Sequence, residues 1–296
     1  MKTVLVCVLW VVSMFCPERS DSQRDRQKLS LFAMNVGFSG LTTGIGRVIN
    51  KPRNEKVLHS FWNGFKYGCL GGAISFGGKQ MAYWMDQSEH LAWAWPSKIV
   101  HSYGVSIMEN GALYKPLFTS IRVPVGFLMA DISFDRGFDG RVKLMPASLA
   151  AFIVCASKGQ FILPKTLAIG TPYFEYYSDP ANTKLAAYSH SNTISVNTAY
   201  KTNRTTGGVA HELVHNLQVR EYYIFNTFWM QTNLVKSIRK SSGEGASILR
   251  DYIYPDFPYM NIAYTIAKEL NHNNSYYSNP FELEAQHIAL NQYIRR

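Results

Sequence analysis

Residues 211–216 read His-Glu-Leu-Val-His-Asn, and this short stretch is the strongest indicator of fold and chemistry in the chain. Positions i and i+4 of a helix lie one turn apart on the same face, so His211 and His215 can direct two imidazole nitrogens at one ion. Glu212 lies about 100° around the helix, where its carboxylate can reach a water on that ion. The pattern therefore predicts a helix that carries two metal ligands and a general base.

The residues on either side of the motif fit a strand, a turn and a helix. Residues 186–198 are rich in small and β-branched residues and predict a strand. Residues 203–208 are polar and glycine-containing, which favours a turn with a threonine cap for the helix. Gln218 follows His215 by three residues and is expected beside the histidines, where it can support a ligand from outside the metal's own contacts.

A third metal ligand is expected further along the chain, because a catalytic zinc site usually has three protein ligands and one open position. Residues 279–287 read Asn-Pro-Phe-Glu-Leu-Glu-Ala-Gln-His. Asn279 followed by Pro280 predicts the start of a helix. This second helix offers the carboxylates of Glu282 and Glu284.

The two segments together resemble the gluzincin metallopeptidases, in which a His-Glu-x-x-His helix pairs with a later Glu-x-x-Ala or Glu-x-x-x-Asp helix. The resemblance covers roughly residues 184–290. Glu282 matches the family's metal ligand, and Gln286 stands where the family usually has an aspartate. Glu284 shares a helical face with His287 and stays open as a rival ligand or as a supporting residue.

The resemblance implies a zinc-dependent peptidase that acts on proteins or peptides. His211, His215 and Glu282 would hold Zn²⁺, and Glu212 would take a proton from the attacking water and later deliver it to the leaving amine. Gln218, Glu284 and Gln286 would not bind the metal themselves but would support the residues that do.

A further hydrogen-bond donor would stabilise the oxyanion, and His190 and Tyr188 are eligible for this role. Hydrolysis of a non-peptide amide, such as cell-wall material, remains an alternative activity. So does a non-catalytic binding or assembly protein of the cell envelope that retains the same scaffold.

The first 22 residues are typical of a signal peptide. One lysine is followed by an apolar run of about a dozen residues, which is short for a membrane span. Small residues at Ser20 and Ser22 fit cleavage after Ser22, with an uncleaved anchor as the alternative. The protein is therefore expected on a secretory route, in the periplasm or cell envelope or outside the cell.

The formal net charge of +10 suits an anionic surface such as a membrane. No nucleic-acid motif is present, and a secreted protein is not expected to meet nucleic acid. Cys69 and Cys155 are the two cysteines that follow the predicted cleavage site, so the chain is not a disulfide scaffold.

Residues 23–116 form a glycine-rich region with a character of its own. The apolar segments 36–46 and 63–78 flank a charged connector at 51–56 and predict a helical hairpin. Small residues recur every three or four positions in the second segment, which allows helices to approach closely. Lys66 lies within the second segment, and Arg47 and Lys79 directly follow the two segments, so internal packing or contact with a membrane surface is favoured over a span.

The remaining residues, 117–296, are expected to form a zincin-like domain with a small sheet and ligand-bearing helices. Four short strands, joined by glycine-containing turns, are predicted at residues 118–127, 129–134, 141–145 and 150–155. They are expected to form the sheet on which the ligand helix packs. The fold class is therefore α+β, with the glycine-rich helical hairpin before the zincin-like domain.

Overall fold

A computed structural model describes residues 22–135, 137–179, 186–200, 205–229, 251–270 and 279–289. The fold is mixed α+β, with long helices and two small sheets, as expected. The predicted signal peptide lies outside the described residues except for Ser22, at which the first helix begins.

Three long helices form the N-terminal part: α1 (Ser22–Ile49), α2 (Val57–Ser88) and α3 (Ala94–Ala112). The predicted hairpin is confirmed, because α1 and α2 pack along each other on either side of the charged connector. α3 packs in turn against α2.

Glycine is what allows these helices to approach so closely. A Cβ atom added at Gly68 of α2 would lie 2.2 Å from the carbonyl oxygen of Ser39 in α1. A Cβ atom added at Gly78 would lie 2.3 Å from the backbone nitrogen of His101 in α3. Glycine weakens a helix by up to about 1 kcal/mol per position relative to alanine, and the close backbone packing offsets that loss.

The chain continues through two sheets. The first is an antiparallel meander in the order β1-β2-β3, as predicted, and the second has the order β4-β5-β7-β6. In the second sheet β5 and β7 are parallel and the other neighbours are antiparallel. The strands are β1 (Ser120–Val125), β2 (Leu128–Ser133), β3 (Asp139–Leu144), β4 (Gln160–Phe161), β5 (Tyr173–Tyr176), β6 (Ala187–His190) and β7 (Thr193–Asn197).

Residues 150–155 are helical, so the prediction of a fourth meander strand was wrong. They belong to α4 (Pro146–Lys158), which starts with proline in its first turn and is followed by the short α5 (Leu163–Ile169). A continuous apolar run does not distinguish a strand from a buried helix, and the proline at 146 is the signal that favours the helix.

The ligand helix α6 (Thr205–Tyr222) packs against β6 and β7, so the expectation that the meander would support it was also wrong. The predicted single strand at 186–198 is a pair of antiparallel strands, which turn at Ser191 with a φ of 51°. The meander instead contributes Met129 to a cluster with Val219 at the far end of α6.

Three further helices complete the described fold: α7 (Asn226–Trp229), α8 (Tyr259–Leu270) and α9 (Pro280–Ala289). α9 packs along α6, where Ala285 and Ile288 meet Leu213 and Leu217 in the main apolar core. α2 and α3 also contact α6, so contacts cross the predicted boundary between residues 116 and 117.

The outer side of the hairpin carries apolar side chains that are exposed, among them Leu41 and Ile45 of α1 and Leu58 and Trp62 of α2. None of the helices within the described residues is both long and apolar enough to cross a membrane. Contact of this side with a membrane surface stays a prediction.

The contact between α1 and α2 can be tested with two matched substitutions. Gly68→Ala should lower the free energy of unfolding by about 3 kcal/mol, because the added methyl group overlaps backbone that cannot move aside. Gly37→Ala on α1 meets nothing within 4 Å and should be neutral or stabilising by up to about 1 kcal/mol. Denaturant unfolding of both variants measures this; equal stability would contradict the close approach.

Candidate metal centre

His211 and His215 lie one turn apart on α6, as the motif predicts. Both side chains are buried, and their ring planes stand at 85° with centroids 4.7 Å apart. Their Nε2 atoms face each other at 3.1 Å. Each imidazole therefore directs its Nε2 atom at the same point.

Glu282 reaches this point from the first turn of α9. Its Oε2 atom lies 3.2 Å from Nε2 of His211 and 3.3 Å from Nε2 of His215. Asn279 fixes the start of α9 by accepting a hydrogen bond from the backbone N–H of Phe281 at 3.0 Å. The structure thus brings together the three side chains that the resemblance implies as ligands.

The geometry of these three atoms fits a tetrahedral ion. Zinc binds nitrogen at about 2.0–2.1 Å and carboxylate oxygen at about 2.0–2.2 Å, which places neighbouring ligand atoms about 3.3–3.5 Å apart. The observed separations of 3.1, 3.2 and 3.3 Å are close to this range. Two nitrogens and one oxygen are also a donor set that zinc accepts.

The electrostatics of the site favour a positive charge at the same point. Burial alone would lower the pKa of His215, but its hydrogen bond to Glu282 and the charges of Glu212 and Glu282 outweigh burial and raise this pKa to about 9. Without metal, a proton on His215 therefore supplies the positive charge that a divalent cation can supply instead.

Glu212 lies beside the ligands and against the sheet. Its carboxylate is buried next to the hydroxyl of Ser189 on β6. Burial raises the pKa of Glu212, and the two histidines oppose that rise. A raised pKa makes the Glu212 carboxylate a stronger base, which suits a group that accepts a proton beside the candidate metal ligands.

Tyr264 of α8 is a member of the site that sequence reasoning missed. Its hydroxyl donates a hydrogen bond of 3.2 Å to Oε1 of Glu282, the oxygen that does not face the histidines. Burial and the charge of Glu282 raise the pKa of Tyr264 to about 12, so the hydroxyl keeps its proton. The chain has 18 tyrosines, and no local pattern singles out this one.

Tyr188 and His190 are not brought together with the metal ligands. Neighbouring residues of a strand point to opposite faces, and Ser189 is the residue of β6 that faces Glu212. The hydroxyl of Tyr188 lies on the other side, near Ser195 and Cys155. His190 is exposed at the end of β6. The structure therefore does not support either residue as the oxyanion donor.

Gln218 and Glu284 occupy supporting positions behind the ligands. The amide oxygen of Gln218 lies 2.8 Å from Nδ1 of His215, and its nitrogen donates to Oε2 of Glu284 at 2.8 Å. Glu284 forms a buried ion pair with Lys79 at 2.8 Å and is not among the three converging ligand atoms. Gln286 is half-buried on α9 and makes no hydrogen bond to the ligands within the described residues, whereas Nδ1 of His215 lies against the amide oxygen of Gln218, which can accept a hydrogen bond.

The far end of α6 carries two further buried charges, which the sequence analysis did not identify. Arg220 donates to Glu109 of α3 at 2.6 Å. Glu221 pairs with Lys79 of α2 at 3.0 Å and lies 3.3 Å from Nε2 of His101. These pairs join the ligand helix to the N-terminal helices.

Zinc binding tests the centre directly. The purified protein should bind about one zinc ion, and His211→Ala should weaken binding more than about 100-fold, because loss of an outer partner alone typically weakens metal binding 10- to 100-fold. His59→Ala, on the exposed surface of α2, should leave the affinity unchanged. Competition with a chromogenic chelator measures both; an equal affinity of the two variants would place the ion elsewhere.

No protein-family model, no curated protein and no solved structure matches this chain. The case for a metal centre therefore rests on the residues of this chain and on their geometry. The site consists of His211, Glu212 and His215 on α6, Glu282 on α9 and Tyr264 on α8.

Proposed function

We propose that the protein is a zinc-dependent metallopeptidase with a zincin-like domain. The observation that carries this proposal is the convergence of two imidazole nitrogens and one carboxylate oxygen within 3.3 Å of each other. Glu212 follows the first histidine directly and borders the same point, as required of a general base.

Each residue then has a definite task in hydrolysis. Zinc held by His211, His215 and Glu282 would supply an acidified water, with a pKa of about 7, and a Lewis acid for the scissile carbonyl. Glu212 accepts the proton of the attacking water at its carboxylate and delivers it to the leaving amine. Tyr264 holds Oε1 of Glu282, so Oε2 remains directed at the histidines.

The sheet offers a place for an extended peptide. β6 is an edge strand of the second sheet, and it lies against the ligand helix with Ser189 beside Glu212. A substrate strand that adds to this edge would gain main-chain hydrogen bonds and would run close to the catalytic groups. This arrangement favours a protein or peptide as the substrate.

The proposed site of action is the cell envelope or the exterior of the cell. The apolar run at residues 4–15 behind a single lysine supports a secretory route. The formal net charge of +10 favours a location close to an anionic surface.

The role of Glu212 separates an enzyme from a binding protein on the same scaffold. Glu212→Gln should keep the fold and bound zinc but should lower the hydrolysis rate by about 10²- to 10⁴-fold, because an amide cannot accept the proton. Cleavage of a quenched-fluorescent peptide library, with zinc content measured on the same samples, checks both parts. Glu269→Gln, at an exposed position of α8, serves as the control and should keep full activity.

Three outcomes would contradict this proposal in different ways. Hydrolysis that persists in Glu212→Gln would rule out Glu212 as the base. A zinc-loaded protein that cleaves no peptide in either form would favour the non-catalytic binding protein, and cleavage of cell-wall amides alone would change the substrate class.

A further inference from the structure

A continuous series of buried polar contacts leads from His215 to the glycine-rich helices. Nδ1 of His215 lies 2.8 Å from the amide oxygen of Gln218, whose nitrogen lies 2.8 Å from Oε2 of Glu284. Oε1 of Glu284 lies 2.8 Å from Nζ of Lys79 in α2. All four side chains are buried, and the series joins three helices that are far apart in the chain.

The orientation of the Gln218 amide is determined by its surroundings. Its nitrogen faces two acceptors, the carboxylate of Glu284 at 2.8 Å and the carbonyl oxygen of Phe281 at 3.1 Å. Both acceptors require N–H groups, so the amide oxygen must face His215. An oxygen at 2.8 Å accepts a hydrogen bond only if Nδ1 of His215 carries the proton. The neutral imidazole then has its lone pair on Nε2, the atom directed at His211 and Glu282.

Glu284 is held in place by the N-terminal helices. Nζ of Lys79 has three N–H groups and three acceptors, which are provided by the partly buried Asn35 and the buried Glu221 and Glu284. Asn35 of α1 also donates from its amide nitrogen to Oε1 of Glu284 at 2.7 Å. The side chain of Lys79 is fully buried. A buried ammonium group whose donors are all used has one favourable position, and it fixes the carboxylate in turn.

We propose that Gln218, Glu284 and Lys79 act together as a positioning relay that holds His215 in the tautomer required for metal binding. Through this relay, the glycine-rich helices help to position a ligand of the proposed metal centre. The inference rests on the proposed zinc site. It gives Lys79 and Asn35 a positioning role that the His-Glu-x-x-His motif does not indicate.

The relay provides the negative charge that is missing at position 286. A ligating histidine usually donates its second ring N–H to a carboxylate or carbonyl, which fixes its orientation and raises its basicity. Gln286 stands where the resemblance places an aspartate, and it carries no charge. Here the negative charge comes from Glu284, and Gln218 transmits it to His215 through one amide.

The test compares two glutamines of the same region. Gln218→Met removes both hydrogen bonds of the relay and keeps a side chain of similar length. Gln286→Met makes the same chemical change at a half-buried position on α9 outside the relay. Gln218→Met should raise the zinc dissociation constant about 10- to 100-fold, whereas Gln286→Met should change it less than about twofold.

A second variant tests Glu284 without leaving an unpaired buried charge. Lys79→Met would leave Glu221 and Glu284 without their cation, and such a variant can fail to fold. Glu284→Gln instead leaves Lys79 paired with Glu221. It should remain folded by circular dichroism and should bind zinc about 10-fold more weakly, because an amide at 284 no longer dictates how Gln218 is turned.

A spectroscopic measurement separates positioning from general stability. Long-range ¹H–¹⁵N spectra of the zinc-loaded protein should show His215 protonated at Nδ1 and metal-bound at Nε2. The same spectra of metal-free protein, recorded in a pH series up to the point where the imidazole signals show the neutral form, should show the Nδ1–H tautomer in the wild type and a mixture in Gln218→Met.

The outcomes distinguish failure of the relay from failure of the proposed function. Equal zinc affinity and equal tautomers in Gln218→Met and Gln286→Met would overturn the relay and leave the peptidase proposal intact. A wild type that binds no zinc would overturn the peptidase proposal, and the metal-free spectra would still decide the relay. An Nε2–H tautomer of His215 in those spectra would overturn it.

Discussion

The burial of a helix rich in charged and polar side chains is the constraint on which the rest of this structure depends. α6 carries His211, Glu212, His215, Arg220 and Glu221, and all of them are buried. A buried charge is strongly destabilising unless it is paired, so each of these groups requires a partner from another helix or strand. The neighbours of α6 meet this requirement one by one, and their arrangement creates the candidate metal centre at one end and ion pairs at the other.

The glycine-rich helices are best understood as part of this arrangement. Lys79 pairs with both Glu221 and Glu284 from a fully buried position. Such a position requires α2 to pack closely on all sides, and Gly78 next to Lys79 would not admit even a methyl group against α3. Small residues in α2 thus serve close packing around a buried cation, whereas the sequence pattern by itself allowed a membrane interpretation as well.

Local patterns predicted the elements well where a period or a turn signal was present. The helical hairpin, the three-stranded meander and both ligand-bearing helices follow from spacing and capping residues. The prediction failed at residues 150–155, where an uninterrupted apolar run suits either a strand or a helix. The sequence could not place Tyr188 and His190 relative to the ligands either, because the face of β6 that meets α6 depends on how the sheet pairs. Tyr264 and Lys79 have no sequence signature at all.

The sequence by itself determined the pair of histidines, the adjacent glutamate and two candidate carboxylates on a later helix. It could do so because helical periodicity is set by backbone hydrogen bonds between near neighbours. Only the tertiary structure decided that Glu282 faces the histidines while Glu284 pairs with Lys79. That choice depends on the angle at which α9 lies on α6 and on a cation supplied from about 200 residues earlier in the chain, and local sequence contains neither.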